Sequence, residues 1–134
     1  MAWITPKTDW QSSDAYNADD LNRVEGNLAA LRSLLISIGT DVPSIVVNTN
    51  RTALDYELVF SVNRVEGNLE TIRRAFYTPE GYLPAITWTP TTPFTAADAN
   101  RWEANTLLLW TITNASIASL RYCGTFAAGE EVLG

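Results

Sequence analysis

The sequence predicts an all-α protein, a three-helix bundle built from three related repeats and carrying extended arms. Three observations support this. The segment Asn22-Arg23-Val24-Glu25-Gly26-Asn27-Leu28 recurs unchanged as Asn63-Arg64-Val65-Glu66-Gly67-Asn68-Leu69. A looser third copy runs Asn100-Arg101-Trp102-Glu103-Ala104-Asn105-Thr106, and the copies start 41 and 37 residues apart. That period suits a helix plus its connection. Through each copy the apolar residues step by three and four, the spacing of a narrow helical seam suited to bundle packing.

Residues 1–16 hold Trp3, Pro6 and Trp10 and read as an extended arm, because proline disfavours helix at and before its own position. The first helix is predicted near 17–38, with Leu21, Val24, Leu28, Leu31, Leu35 and Ile38 as its seam. Asn17 with Asp20 three residues on resembles a capping box in which Asp replaces Glu. Gly39 and Pro43 end this helix. Ser44–Asn48 reads as loop rather than strand.

The second helix is predicted near 52–76, starting at a similar Thr52–Asp55 pair, with Leu58, Val62, Val65, Leu69, Ile72 and Phe76 as its seam. Pro79 and Gly81 end it. A second extended arm follows over 77–94, with Tyr77, Tyr82, Trp88 and Phe94 among four prolines. Aromatic residues at that density must pack on the bundle or on a partner. The third helix is predicted near 95–120, opened by Thr95 and Asp98. Its seam of Ala99, Trp102, Leu109, Ile112, Ile117 and Leu120 is interrupted by Thr106 and Thr113, while Leu107, Leu108 and Trp110 add apolar surface on another face. Residues 126–134 read as a mobile tail.

The first and third units also agree upstream of the motif. Trp10, Tyr16, Ala18, Asp20 and Asn22 fall at the same offsets as Trp88, Phe94, Ala96, Asp98 and Asn100. In the second unit Arg51 and Glu57 stand where the Trp and the ring would be, so two units carry an aromatic arm and one does not. Trp102 and Trp110 lie on the third helix, and Trp3 is left without a counterpart.

Composition narrows the function. The 134 residues make one domain, and a net charge of −6 with nine basic residues gives no footprint for nucleic acid or an anionic membrane. There is no histidine, the commonest general base and metal ligand, and the single Cys123 allows no internal disulfide. Cys123 reads as a small buried or half-buried hydrophobe. No apolar run nears the roughly 20 residues of a membrane span, and Met1 to Pro6 lacks the features of a secretory signal. The triplets Asn50-Arg-Thr52 and Asn114-Ala-Ser116 are therefore read as coincidence rather than glycosylation sites.

The repeated polar residues Asn22, Arg23, Glu25 and Asn27, Asn63, Arg64, Glu66 and Asn68, and Asn100, Arg101, Glu103 and Asn105 admit two readings. Carboxylates gathered at one level could serve glycoside hydrolysis or a hard cation. The favoured reading is structural: Asn–Glu hydrogen bonds at i, i+3 and Glu–Arg pairs between helices beside the seam. Catalytic chemistry rarely repeats three times over, and no His, Cys–His pair or Gly-rich loop accompanies it. No catalytic, cofactor or metal site is expected. Gly26 and Gly67 each cost about 1 kcal/mol relative to Ala inside a helix; either another backbone or a ring such as Tyr16 or Trp10 approaches there, or the position is exposed and tolerant.

The stretch Tyr16-Asn-Ala-Asp-Asp-Leu-Asn-Arg-Val-Glu-Gly-Asn-Leu28 resembles a segment of structural proteins from bacteriophages and prophages of Gram-positive bacteria. Tail-fibre, baseplate and minor tail proteins there carry an aromatic or small residue and then Ala-x-Asp-Leu-Asn-Arg-Ile-Glu-x-Asn-Ile. The Trp3–Trp10 lead-in and Phe94–Arg101 are similar to the arm and its sequel. The resemblance implies a non-enzymatic virion structural protein made in the bacterial cytoplasm, with itself and other phage virion proteins as partners. Such proteins are usually long chains ending in receptor-binding or fibre domains, whereas this sequence ends after the third helix, so an oligomeric adaptor is expected. Its docking residues would be Trp3, Trp10, Tyr16, Trp88, Phe94, Trp102 and Trp110. The alternatives are a neck, connector or capsid-attached component, and a small carbohydrate-binding protein or hydrolase.

Overall fold

A computed structural model describes residues 3–49, 58–89 and 91–130, with the side chains of 58–60 and 120–130 excepted. It contains three helices, α1 (Ala18–Ser37), α2 (Leu58–Ala75) and α3 (Ala96–Glu130), each packed on the other two, and no strand among the described residues. The all-α bundle expected from the seam is the observed fold. The expected start of α2 with its Thr52–Asp55 pair, the missing arm positions Arg51 and Glu57, and the Cys123 side chain lie outside the described residues.

The seams meet in layers. Val24, Val65 and Trp102 are buried at one level, Leu28, Leu69 and Thr106 at the next, and Leu31, Ile72 and Leu109 above them. The motif register dictates this, since each set shares one offset in the repeat. Thr106 and Thr113, read as interruptions, are buried to 1% and 0% and continue the heptad of α3. Each hydroxyl donates back to the carbonyl four residues earlier, Trp102 and Leu109, at 2.7 Å, so neither brings an unsatisfied group into the core.

Both helix starts that can be seen show the expected Asp. The Asn17 N–H donates to Asp20 Oδ2 at 2.7 Å, and the Thr95 N–H and hydroxyl donate to Asp98 Oδ2 at 2.9 Å. α1 ends at Ser37, and Gly39 just beyond it, with a φ of +91°, carries the chain into its reversal, with the Thr40 N–H on the Leu35 carbonyl. α3 continues past its expected end near 120 to Glu130, so residues 126–130, read as tail, are helical. Nothing there stops it: Phe126-Ala127-Ala128 has no proline, and glycine weakens a helix without ending it. Residues 131–134 lie outside the description.

The helices run parallel. After α1 the chain passes Arg32, whose guanidinium bonds the Val42 and Pro43 carbonyls, and then Glu25, which takes the Asn48 N–H. It is therefore travelling back along α1 towards its start. After α2, Leu83 sits at Asn105, Trp88 at Glu66, and Phe94 against Trp102 just before α3 begins. Each helix is thus preceded by an arm that runs down the outside of the bundle.

Candidate functional site

The repeated polar residues form a closed ring. Arg23 of α1 grips Glu103 of α3 through Nε and Nη2 at 2.9 and 2.8 Å. Arg64 of α2 grips Glu25 of α1 in the same way, both bonds at 2.7 Å. Arg101 of α3 completes the cycle on Glu66 of α2, with Nη1 at 2.9 Å from Oε1 and Nη2 on Oε2. Glu25, Glu66 and Glu103 are exposed by only 0%, 6% and 1%, so each charge is buried beside its bidentate partner. The inter-helix ion pairs expected from the sequence are present. The spacing did not reveal their cyclic order.

The arms use the same carboxylates. The Trp10 indole N–H donates to Glu103 Oε2 at 2.6 Å and the Trp88 indole N–H to Glu66 Oε2 at 2.8 Å. The Lys7 backbone N–H reaches Glu103 Oε1 at 3.0 Å, and that of Asn48 reaches Glu25 Oε1 at 3.2 Å. Each buried Glu thus collects donors from a neighbouring helix and from an arm. Glu103 in turn holds the Arg23 guanidinium even more firmly protonated than usual, with Asp20 assisting.

The second motif Asn is a backbone clamp. An extended residue shows its N–H and C=O on one side, and a carboxamide offers the matching acceptor and donor. Asn27 holds Ile4 in this way at 2.8 and 2.7 Å, and Asn105 holds Leu83 at 2.9 and 2.8 Å. Asn68 Nδ2 donates to the Val46 carbonyl at 2.8 Å. The first motif Asn plays a related part in α3, where Asn100 clamps the backbone of Trp10 at 2.7 and 3.0 Å rather than bonding to Glu103. Asn63 is exposed, and Asn22 is half-buried.

The clamps fix an equivalence among the arms. Ile4, Val46 and Leu83 precede their Asn by 23, 22 and 22 residues. The residue before each is Trp3, Ile45 or Tyr82. Trp3 therefore has positional counterparts after all, hidden because the residue types differ. Its ring stacks on Trp110 at 4.0 Å and 3°.

The expected docking aromatics are placed as follows. Trp10 and Trp88 are 7% exposed and Trp102 is fully buried, so these three rings lie inside their own bundle. Tyr16 and Phe94, both half-buried, join them: Trp10, Tyr16, Phe94 and Trp102 follow one another at centroid distances of 4.9, 4.9 and 5.0 Å. A cavity of about 300 Å³ opens beside this row, lined by Trp10, Gln11, Asp14, Tyr16, Phe94 and Thr95 among others. At Gly67 no backbone or ring approaches: the position is exposed with open space where a Cβ would stand, which is the tolerant alternative. Gly26 is buried.

No group of three or more acidic or Cys residues among the described residues could hold a metal ion, and no described helix is long and apolar enough to cross a membrane. Comparison with known protein families, with curated proteins and with solved structures gave no match.

Proposed function

We propose that the chain is a non-enzymatic structural protein of a bacteriophage particle, an adaptor in the tail, baseplate or fibre-attachment region. The observation that carries the non-enzymatic part is the ring itself. Glu25, Glu66 and Glu103 each accept two guanidinium bonds and at least one donor from an arm or its backbone, which supports a structural rather than a catalytic role for them. Residues that could have formed a site hold the arms to the helices instead. The virion location rests on the resemblance of Tyr16–Leu28 and its two relatives to segments of phage tail proteins.

The test is to find the chain in purified particles by mass spectrometry and to place it by imaging. Density at the tail tip, baseplate or fibre root supports the proposal, and density at the neck, connector or capsid supports the alternative virion reading. Absence from particles refutes both. A carbohydrate-binding role has one feature in its favour, the cavity beside Trp10, Tyr16 and Phe94 with Asp14 and Gln11 on its wall. Glycan binding that is lost in Phe94→Ala would move the reading there.

A further inference from the structure

We infer that this chain is a homotrimer written into one polypeptide: each arm–helix repeat fills one subunit position of a threefold assembly, and the ring closes within a single chain, which is therefore monomeric. The inference stands on the geometry of the ring and the arms and holds wherever the protein works. A linear array of repeats gives each unit contacts with its sequence neighbours and leaves the two ends open. A ring of three identical subunits instead gives each unit one partner through its Arg and the other through its Glu, and the rotation closes.

The second pattern is the one observed. Arg64 reaches back one repeat to Glu25, Arg101 reaches back one repeat to Glu66, and Arg23, in the first of the three repeats, reaches the third at Glu103. The arms follow the same rotation. The arm before α1 is clamped by Asn27 of α1 and crosses to Glu103 of α3. The arm before α2 is held by Asn68 of α2 and crosses to Glu25 of α1. The arm before α3 is clamped by Asn105 of α3 and crosses to Glu66 of α2. Helix k, its arm and its Arg all address the Glu of the preceding position, and the first repeat addresses the third.

The self-association expected from the sequence is thereby met inside the chain. The partner whose chemistry fits each slot is another arm–helix repeat. The slot at Glu103 takes a guanidinium, an indole N–H and a backbone N–H, with the Asn100 clamp beside it. The turn at Gly39–Asp41 decides that this repeat comes from the same chain, because its reversal lets the rest of the polypeptide return along α1. A second copy would supply the repeat if that reversal were removed.

Two measurements, one on the 134-residue chain and one on a deletion variant, test this. Sedimentation over a wide concentration range should give one species at the 14.8 kDa chain mass. A concentration-dependent trimer or larger species would overturn the inference, because the slots would then be filled between chains. Deletion of Gly39, Thr40 and Asp41 should give a species of twice the chain mass, or a higher closed multiple, with the native helical circular-dichroism spectrum. A deletion protein that stays a native monomer, or that loses its helices, would show that the repeats are not exchangeable subunits. Neither measurement depends on finding the chain in a particle, so this inference and the functional proposal fail separately.

Discussion

Arg64 of α2 closes on Glu25 of α1 through two hydrogen bonds of 2.7 Å, and Glu25 is wholly buried. Removing one partner of such a pair leaves an uncompensated charge, which costs about 3–5 kcal/mol. The Arg64 side chain keeps one-fifth exposure, so water softens the loss. Glu25→Ala should therefore destabilise by about 3 kcal/mol in urea unfolding, the low end of that range. Glu25→Gln, which keeps the shape and one acceptor oxygen, should cost less. Equal losses for the two variants would mean that the charge is immaterial.

Asn105 holds Leu83 by its N–H and its carbonyl at once. Asn105→Ala should cost about 2 kcal/mol, at roughly 1 kcal/mol per hydrogen bond lost. The local signature is sharper than the global one. Amide exchange at Leu83 should accelerate, while Ile4, clamped by Asn27 on another arm, stays protected. Acceleration at both would show that the arms loosen together rather than one by one.

What the sequence revealed, and what it hid, follows from what each signal encodes. The seam of Leu21, Val24, Leu28, Leu31 and Leu35 announces a helix and its buried face, because burial imposes a period that type alone displays. The Arg and Glu of the motif announce pairing between helices. They do not say which helix, since every repeat carries both partners and the order depends on how the chain closes. The kinship of Trp3 with Tyr82 was hidden for a different reason. Position there is set by the backbone clamps of Asn27 and Asn105, and a clamp on backbone leaves the neighbouring side chain free to vary. The burial of Trp10 and Trp88 was half legible: their density in an extended arm required a surface to cover, and the indole bonds to Glu103 and Glu66 show that surface to be the bundle's own.

Thr106 sits in the same layer as Leu28 and Leu69 and bonds only to its own helix. The Trp102 carbonyl that receives the hydroxyl lies within a regular helix, where an amide four residues on also faces it. Thr106→Val, also β-branched, replaces the hydroxyl with a methyl at a buried position and should raise stability by about 1 kcal/mol. A loss on thermal or urea unfolding would show that the Thr106 hydroxyl contributes more than its helical bond.

The two glycine classes should respond in opposite directions. Gly67 lies in α2 with nothing within 4 Å of a Cβ, so Gly67→Ala should stabilise by about 1 kcal/mol. Gly39 also has open space, yet its φ of +91° is strained for any L side chain, and Gly39→Ala should destabilise by about 1–2 kcal/mol. Matching signs for the two variants, read as shifts of the urea midpoint at constant slope, would contradict this division.

Tyr82 carries a pH dependence at the alkaline end. Burial pushes its phenol well above the usual range, Glu70 adds to the shift, and Arg73 opposes it. In the unfolded chain the phenol ionises near about 10, while in the fold it stays neutral well beyond that. A group whose folded value is raised contributes fully below its unfolded value, and the contribution is lost as pH rises towards the folded value. Stability should therefore fall above pH of about 10 with a slope approaching 1.4 kcal/mol per pH unit from this one proton. Tyr82→Phe cannot ionise, so it should remove that part of the slope while leaving the neutral-pH fold intact. Urea midpoints measured from neutral pH upward for both proteins decide the matter. An unchanged alkaline slope in Tyr82→Phe would mean that another group governs it.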